Sequence, residues 1–440
     1  GALTTLAAIS GDDPLDFRIQ NEYYLIAKES GDTQRANDLL VSLNKEMRNF
    51  DDNYLELAVG YLNNGLLTEA EDVFKRFTGK NPFFAYYLGY ISDLNGKSDN
   101  ALQYFKSAAA KSVDYIFPYR LESVNVLNTA LKYNPSDGKA YYYLGNILFE
   151  KQPDAAMMHW KNAVKFNPEL AIAYRNIGWG YYNHIGDIPN AIANYEKALS
   201  LTKTEPIYYT ELSELYERSN SPIETRSKIF VGNEDIVKNR DDSYMYYIEN
   251  LILSEQAFKA VEALEGANFA YTEGSSRSRN IRINANLMLG KQYYDNKEYQ
   301  KALDTFLKAQ ITRQEAGNDR QGGRETEVDY YIGLAYEALR NRSKANTFFN
   351  SSTKQASQTI NVTSYYHGLS YAKLGKYDLA EKIFKSMISE ADQQMKQSVD
   401  SEVGAIFGRR EASDNRLSRL YTMRGLGYKG LGELDKAKND

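Results

Sequence analysis

The side chains best suited to bind a ligand lie at matching positions in two neighbouring segments. Asn146 follows a glycine, and Trp179 follows another glycine 33 residues later. We expect a side chain beside such a glycine to face away from its own helix pair and into a groove. The candidate groove residues are Tyr142, Asn146, Phe149, Arg175, Asn176, Trp179 and Tyr182. Aromatic, amide and guanidinium groups together suit a planar or apolar ligand, such as a sugar ring or a peptide side chain. The alternative for Trp179 is packing against a neighbouring repeat or another domain, and both interpretations stay open here.

The sequence contains few residues whose type and spacing indicate catalysis. The chain has three histidines, and no two of them have the HExxH spacing that binds zinc. We expect His159, which precedes a core tryptophan, to be solvated. The stretch 425–430 matches the G-x-G-x-x-G pattern but follows no strand, so it does not indicate a dinucleotide site. We therefore predict no catalytic residue, no metal ligands and no cofactor, and a chain that is not an enzyme.

A pattern that recurs about every 34 residues predicts the elements that position the groove residues. The full pattern has glycine or alanine, an aromatic residue three positions later, alanine twelve after the first and an aromatic residue four beyond that. In the copies that begin at Gly89, Gly145, Gly178 and Gly425, part of the pattern is replaced, shifted by one residue or missing. One copy is Gly290, Tyr293, Ala302 and Phe306, and others begin at Ala58, Gly89, Gly145, Gly178, Gly333, Gly368 and Gly425. The small residue lets two helices approach closely, and the first aromatic residue shares its helical face. Each copy is one helix–turn–helix unit that must stack on its neighbours to bury its apolar face.

This spacing resembles the tetratricopeptide signature. The resemblance implies an all-α fold, a right-handed α-solenoid of about ten helix pairs. The predicted pairs lie at 17–47, 51–78, 82–111, 137–166, 170–200, 284–311, 327–356 and 362–394, with one extra helix at 119–133.

We predict three regions along the chain. Residues 1–204 form an N-terminal array, and residues 205–283 keep helical character but lose the signature. Residues 284–440 form a C-terminal array whose last repeat we expect to be truncated. The polar stretches that interrupt the repeats are 273–279, 313–324 and 394–416. We expect these stretches to be surface loops, where specificity often resides.

Net charge and amino-acid composition limit the kinds of partner that we expect the chain to bind. The chain has 440 residues, a net charge of −5 and no cysteine, and its pI is about 5.6. Such a chain has no global field that attracts nucleic acid, so we predict no nucleic-acid partner. The absence of cysteine excludes disulfides and thiolate metal sites, and no apolar run reaches the length of a membrane span. The periplasm and the cytoplasm suit this composition equally.

Four short segments extend the resemblance to a particular family. They are 13–18, 117–122, 175–178 and 240–242, in that order. Together they resemble the C-terminal region of a bacterial family of unknown function. Its members join an N-terminal β-sandwich, similar to sugar-processing enzymes, to a long tetratricopeptide array. This resemblance implies carbohydrate-related work for the parent protein, in the bacterial periplasm or cytoplasm.

The family resemblance also implies site residues. It places Arg120, Glu122, Arg175 and Asn176 on a shared surface. Glu273 is one of the few residues retained here from a Trp-Glu-Gly-Gly-Glu-Gly-like segment of the family. If that segment contributes to a sugar site, this member has lost most of it.

Two functions follow from these observations. The first is a non-catalytic scaffold that binds a protein or peptide segment, or a partner domain such as its own N-terminal domain, in a concave groove. The alternative is the helical half of a carbohydrate-active protein, whose groove supports or covers a sugar-binding pocket. A clamp for a peptide's C-terminal carboxylate is incomplete. Asn146 and Asn176 match its two asparagine positions, but Tyr142 stands where this clamp needs a lysine.

Overall fold

The computed structural model describes residues 16–267, 269, 277–310, 324–354, 359–396 and 413–440. These residues form 24 α-helices and one π-helix, and no β-strand occurs among them. The predicted all-α fold is therefore confirmed. Packing between helices divides the chain into two compact units, Gly1–Thr204 and Glu205–Asp440.

The first unit contains five helix pairs and one single helix. Its helices are α1 Phe17–Glu29, α2 Thr33–Met47, α3 Asp51–Asn63, α4 Leu67–Arg76, α5 Phe83–Leu94, α6 Ser98–Ala110, α7 Glu122–Tyr133, α8 Gly138–Leu148, α9 Pro153–Phe166, α10 Ala171–Gly180 and α11 Ile188–Leu201, with a π-helix, π1, at Tyr181–Ile185. The predicted pairs are confirmed with small shifts at their ends. The predicted extra helix is α7, which begins three residues later than expected.

The second unit contains thirteen described helices. They are α12 Pro206–Arg218, α13 Ile223–Lys228, α14 Glu234–Val237, α15 Asp241–Leu253, α16 Ala257–Glu265, α17 Arg277–Asp295, α18 Tyr299–Lys308, α19 Arg324–Ala338, α20 Arg342–Lys354, α21 Ser364–Lys373, α22 Tyr377–Lys396, α23 Ser413–Gly430 and α24 Leu434–Asn439. Helices α12, α13 and α14 all pack on α15 instead of pairing in chain order. Residues 205–283 lack the repeat signature because these helices do not form consecutive pairs. With the pairs of the first unit, the described helices form ten pairs.

Six of the seven signature glycines, all except Gly425, pack against an aromatic ring of the following helix. A Cβ atom added to Gly89 would lie 2.6 Å from Cε1 of Phe105. The same relation holds for Gly333, whose added Cβ would lie 2.6 Å from Cε1 of Phe349. An L side chain at these positions would displace a buried ring, so the predicted close approach of the two helices is confirmed.

The core of the first unit runs lengthwise through the stacked pairs. One cluster of buried apolar residues extends from Leu43 on α2 to Ile177 on α10. Each pair buries one face against its partner helix and another against the next pair, as a stacked array requires.

The end of one predicted loop is helical. The sequence predicts a surface loop over 273–279, but Arg277 begins α17, and residues 273–276 lie outside the described residues. Its Nε and Nη2 atoms donate to the Glu249 carboxylate at 3.0 and 2.5 Å, and its guanidinium lies 3.8 Å from the centre of the Tyr246 ring. These contacts to α15 hold the first turn of α17, a long-range effect that local composition does not reveal. The predicted insertions at 313–324 and 394–416 fall mostly outside the described residues.

Candidate functional site

Asparagine side chains from two successive repeats meet at the centre of the predicted groove. Asn176 on α10 donates from Nδ2 to Oδ1 of Asn146 on α8, at 2.8 Å. The same oxygen accepts a hydrogen bond from Nε1 of Trp160 on α9, at 2.9 Å. One amide oxygen therefore connects three helices, and both donors lie in a partly buried setting where a lost acceptor would be costly.

Two further candidate residues join this network. Arg175 donates from Nη1 to Oδ1 of Asn176 at 3.2 Å. Burial raises the pKa of Tyr142, and a hydrogen bond with Asn146 partly offsets the effect of burial. Tyr142 is 5 % exposed. Tyr142 therefore packs beneath the hydrogen-bonded asparagines, and little of its surface is accessible to solvent.

The aromatic candidates stack beside the network. The Phe149 ring packs on Trp160, with centroids 5.0 Å apart, and meets Trp179 edge-on at 4.9 Å. Trp160 is buried, whereas Trp179 and Phe149 are half-buried. The indole of Trp179 packs on the preceding repeat, as the packing interpretation predicts. Part of its surface is also accessible, as the groove interpretation predicts.

A π-helix borders this site. Gly178 packs against Tyr195, 17 residues later, whereas the glycine and its aromatic residue are 15 or 16 apart in the copies that begin at Gly89, Gly145, Gly290, Gly333 and Gly368. The additional length lies in π1, which follows α10 directly and carries the half-buried Tyr182. His184 of π1 is 2.8 Å from Oδ1 of Asp154 on α9. The sequence predicts a longer turn here but not its π geometry, which recurs at functional sites in other proteins.

The remaining predicted site residues lie elsewhere. Arg120 forms an ion pair with Glu56 on α3, and its guanidinium lies 4.9 Å from the centre of the Tyr119 ring. Glu122 accepts a hydrogen bond from Nδ2 of Asn63 at 3.1 Å. A bond from its own backbone N–H, together with that from Asn63, lowers the pKa of Glu122. Glu273 lies outside the described residues.

Sequence reasoning missed a small cavity in the first unit. It has a volume of about 160 Å³ and lies between the start of α3, α5 and residues 111–121, which we call the aromatic loop. Three aromatic side chains of this loop alternate along an irregular stretch and are strongly exposed: Tyr115, Phe117 and Tyr119. This alternation around Pro118, outside any helical period, is the signal that could have indicated the cavity.

The described residues contain neither a cluster of metal ligands nor a helix that could span a membrane. No group of three or more histidine, aspartate or glutamate side chains in those residues could hold a metal ion. No helix among them has the length and apolar content needed to cross a membrane.

Two short segments of the chain match models of repeat families. Residues 55–114 match the family model of the tetratricopeptide repeat. Residues 370–390 match the model of the PPR repeat, within the pair α21–α22. No curated protein matches the chain.

Solved structures with similarity to the chain include several tetratricopeptide proteins. The C-terminal part of a TPR repeat-containing protein from Cytophaga hutchinsonii is 19% identical, covers 58% of this chain and 93% of its own, and has a TM-score of 0.31. YrrB, described as a TPR protein with an unusual peptide-binding site, is 14% identical over 53% of this chain and 93% of its own, with a TM-score of 0.28. PilF from Pseudomonas aeruginosa is 16% identical over 52% of this chain and 95% of its own, with a TM-score of 0.30.

Proposed function

Because this chain contains tetratricopeptide repeats, we propose that it is a non-catalytic scaffold that binds an extended segment of a protein partner in the groove around Trp179. The observation that carries the proposal is the half-buried Trp179 ring, supported edge-on by Phe149 beside the amides of Asn146 and Asn176. An aromatic anchor next to polar groups of defined geometry is the usual composition of a binding hot spot.

Each groove residue makes a different contribution to binding. Trp179 supplies an apolar surface for a side chain of the partner. The Arg175 guanidinium is positioned by Asn176, and a planar cation of this kind bonds well to a backbone carbonyl or a carboxylate. Asn146 and Trp160 hold Asn176 in place, so the polar part of the groove is ordered before a ligand arrives. This order lowers the entropic cost of binding.

A binding screen tests this proposal. The whole chain is presented to a random library of 15-residue peptides and, in parallel, to a glycan array. We expect peptide ligands, and we expect Trp179→Ala to weaken their binding by about tenfold or more, as for a hot-spot residue. The melting temperature should change little in this variant, because the ring is only half-buried.

Intrinsic fluorescence provides an independent readout. The chain has two tryptophans, and Trp160 is buried. A peptide that lies on Trp179 should change the emission of the wild type and not that of Trp179→Phe. Selective binding of glycans would instead favour the carbohydrate alternative. Equal peptide binding by the wild type, Trp179→Ala and Arg175→Ala would remove this groove as the site.

A further inference from the structure

We propose that the cavity beneath the aromatic loop is a second recognition site, which takes the side chain of an arginine from a polypeptide partner. The inference rests on the proposed function in one respect, that the partner is a polypeptide. The site itself does not overlap the seven groove residues, and its chemistry is set by charge, aromatic surface and size.

The charge around the cavity favours a cation. Asp51 and Asp52, in the first turn of α3, line the cavity. Glu56 lies one turn further along α3 and is paired with Arg120, whose side chain lines the cavity.

Arg120 is the one basic residue among the described lining residues. Its side chain is 14% exposed and already paired with Glu56. Lys111 does not line the cavity, and its Nζ donates to the backbone oxygen of Asn81 at 3.4 Å. Asp51 accepts a hydrogen bond from Nδ2 of Asn81 at 2.8 Å, and Asp52 accepts one from the Tyr119 hydroxyl at 3.4 Å, so both carboxylates are held by neutral groups. Among the described lining residues, two carboxylates therefore accompany one guanidinium, which is already paired with Glu56.

The aromatic surface favours a planar cation over a compact one. Tyr115 is 91% exposed, Phe117 78% and Tyr119 62%, so this short loop presents three rings to solvent, and exposed apolar patches mark interaction sites. Tyr119 already packs against the guanidinium of Arg120. Guanidinium groups stack on aromatic faces and bond to carboxylates with two parallel hydrogen bonds. An arginine can make both contacts at once, whereas a lysine ammonium lacks the planar geometry.

Tyr115 has an unusual backbone conformation for an aromatic residue. Its φ is 59°, in the left-handed region that L side chains rarely adopt. The chain places this ring at the edge of the cavity at an energetic cost, as is common at binding sites.

The size of the cavity favours a single side chain. Its volume is about 160 Å³, whereas pockets for drug-sized ligands are about 300–1,000 Å³. The apolar floor, formed by Leu55, Phe83 and Tyr87, suits the methylene stem of an arginine.

Short peptides test the proposal on the whole chain. The probe is acetyl-Ala-Ala-Arg-Ala-Ala-amide, compared with peptides that carry citrulline or lysine at the centre. Binding is measured by saturation-transfer NMR, at the roughly millimolar concentrations expected for one side chain. We expect the arginine peptide to bind about tenfold more tightly than the citrulline peptide, which has the same shape without the charge. The lysine peptide should bind more weakly than the arginine peptide.

Single substitutions test whether the arginine peptide binds in the cavity. Asp52→Asn should weaken arginine binding about tenfold, and Phe117→Ala about threefold. Asp99→Asn is the matched control, because Asp99 lies in the first turn of α6 and does not line the cavity. Melting temperatures verify that the variants are folded.

The outcomes separate this inference from the groove proposal. Trp179→Ala should leave arginine binding unchanged and should still weaken the peptides selected in the screen. Equal binding of arginine and citrulline, equal binding of arginine and lysine, no saturable arginine binding, or an unaltered affinity in Asp52→Asn would each overturn the cavity proposal. Loss of arginine binding in Trp179→Ala would place the probe in the groove and overturn it too.

Discussion

In each regular repeat, the glycine of the first helix and the aromatic residue of the second act as one packing unit. The ring occupies the space that a side chain on the glycine would need, as Phe105 does over Gly89. Close packing of this kind tolerates an added methyl group poorly, because neither the backbone nor a buried ring can move without loss of contact.

Substitutions of glycine by alanine test this relation. We expect Gly89→Ala to lower the stability of the first unit by about 1–3 kcal/mol through overpacking. Gly60 is the matched control, since it lies inside α3 and an added Cβ would meet nothing within 4 Å. Gly60→Ala should raise stability by up to about 1 kcal/mol through helix propensity. Urea denaturation followed by circular dichroism measures both, and equal effects of the two substitutions would contradict the packing account.

Asn146 is the residue on which the polar part of the groove depends. Asn146→Leu removes the acceptor for both Trp160 and Asn176. We expect a loss of about 1–3 kcal/mol for each donor left buried without a partner. Asn146→Asp keeps an acceptor oxygen and should cost clearly less. The same urea experiment compares the two, and an equal loss would show that shape rather than hydrogen bonding matters at this position.

At the scale of elements, two histidines sit in half-buried positions between helices. His159 was expected to be solvated, but its ring packs near Tyr141, with centroids 5.9 Å apart, because α9 turns it towards α8. His367 lies 4.7 Å from the ring of Tyr371. One ring nitrogen of each is buried without a hydrogen-bond partner among the described residues. Burial lowers the pKa of both side chains.

The sign of the resulting pH dependence follows from these lowered pKa values. The unfolded chain binds protons more readily than the folded chain at both histidines. Their contribution to stability is therefore complete above the ordinary pKa of 6.5 and is lost as the pH falls below it. We expect the melting temperature to fall between pH 7 and pH 5.5, and less so in a His159→Gln, His367→Gln double variant. His184→Gln, at the surface beside Asp154, is the control. An unchanged slope in the double variant would exclude these two rings as the cause.

At the scale of the molecule, each unit has its own buried core. The large cluster from Leu43 to Ile177 lies wholly within Gly1–Thr204, and so do the groove and the cavity. Because repeats gain stability mainly from their neighbours, we expect a chain that ends at Thr204 to fold alone.

A truncation experiment checks this independence. The fragment 1–204 should melt cooperatively in circular dichroism and bind the peptides selected with the whole chain. A fragment that ends at Gly145 cuts through α8, exposes the packing surface of α7 and should be less stable. A non-cooperative melt of fragment 1–204 would show that the first unit needs the second.

The sequence alone determined the helices of the signature repeats and the order in which those helices pair. The signature is local, with glycine and aromatic residue about 16 positions apart, so the spacing carries the information that fixes which faces of two adjacent helices meet. The candidate residues Asn146, Asn176 and Trp179 could be selected for the same reason, because their distance from the glycine defines their face. The division into three regions and the binding role of these residues stay predictions.

Only the tertiary structure decided how much of each side chain is accessible and which distant residues meet. Tyr142 is nearly buried while Trp179 keeps part of its ring exposed, although both were assigned to the same groove from spacing. Arg120 meets Glu56, 64 residues away, and the aromatic loop closes over the start of α3. Such contacts depend on how successive pairs rotate against one another, and that rotation is set by the summed packing of many side chains rather than by any local pattern.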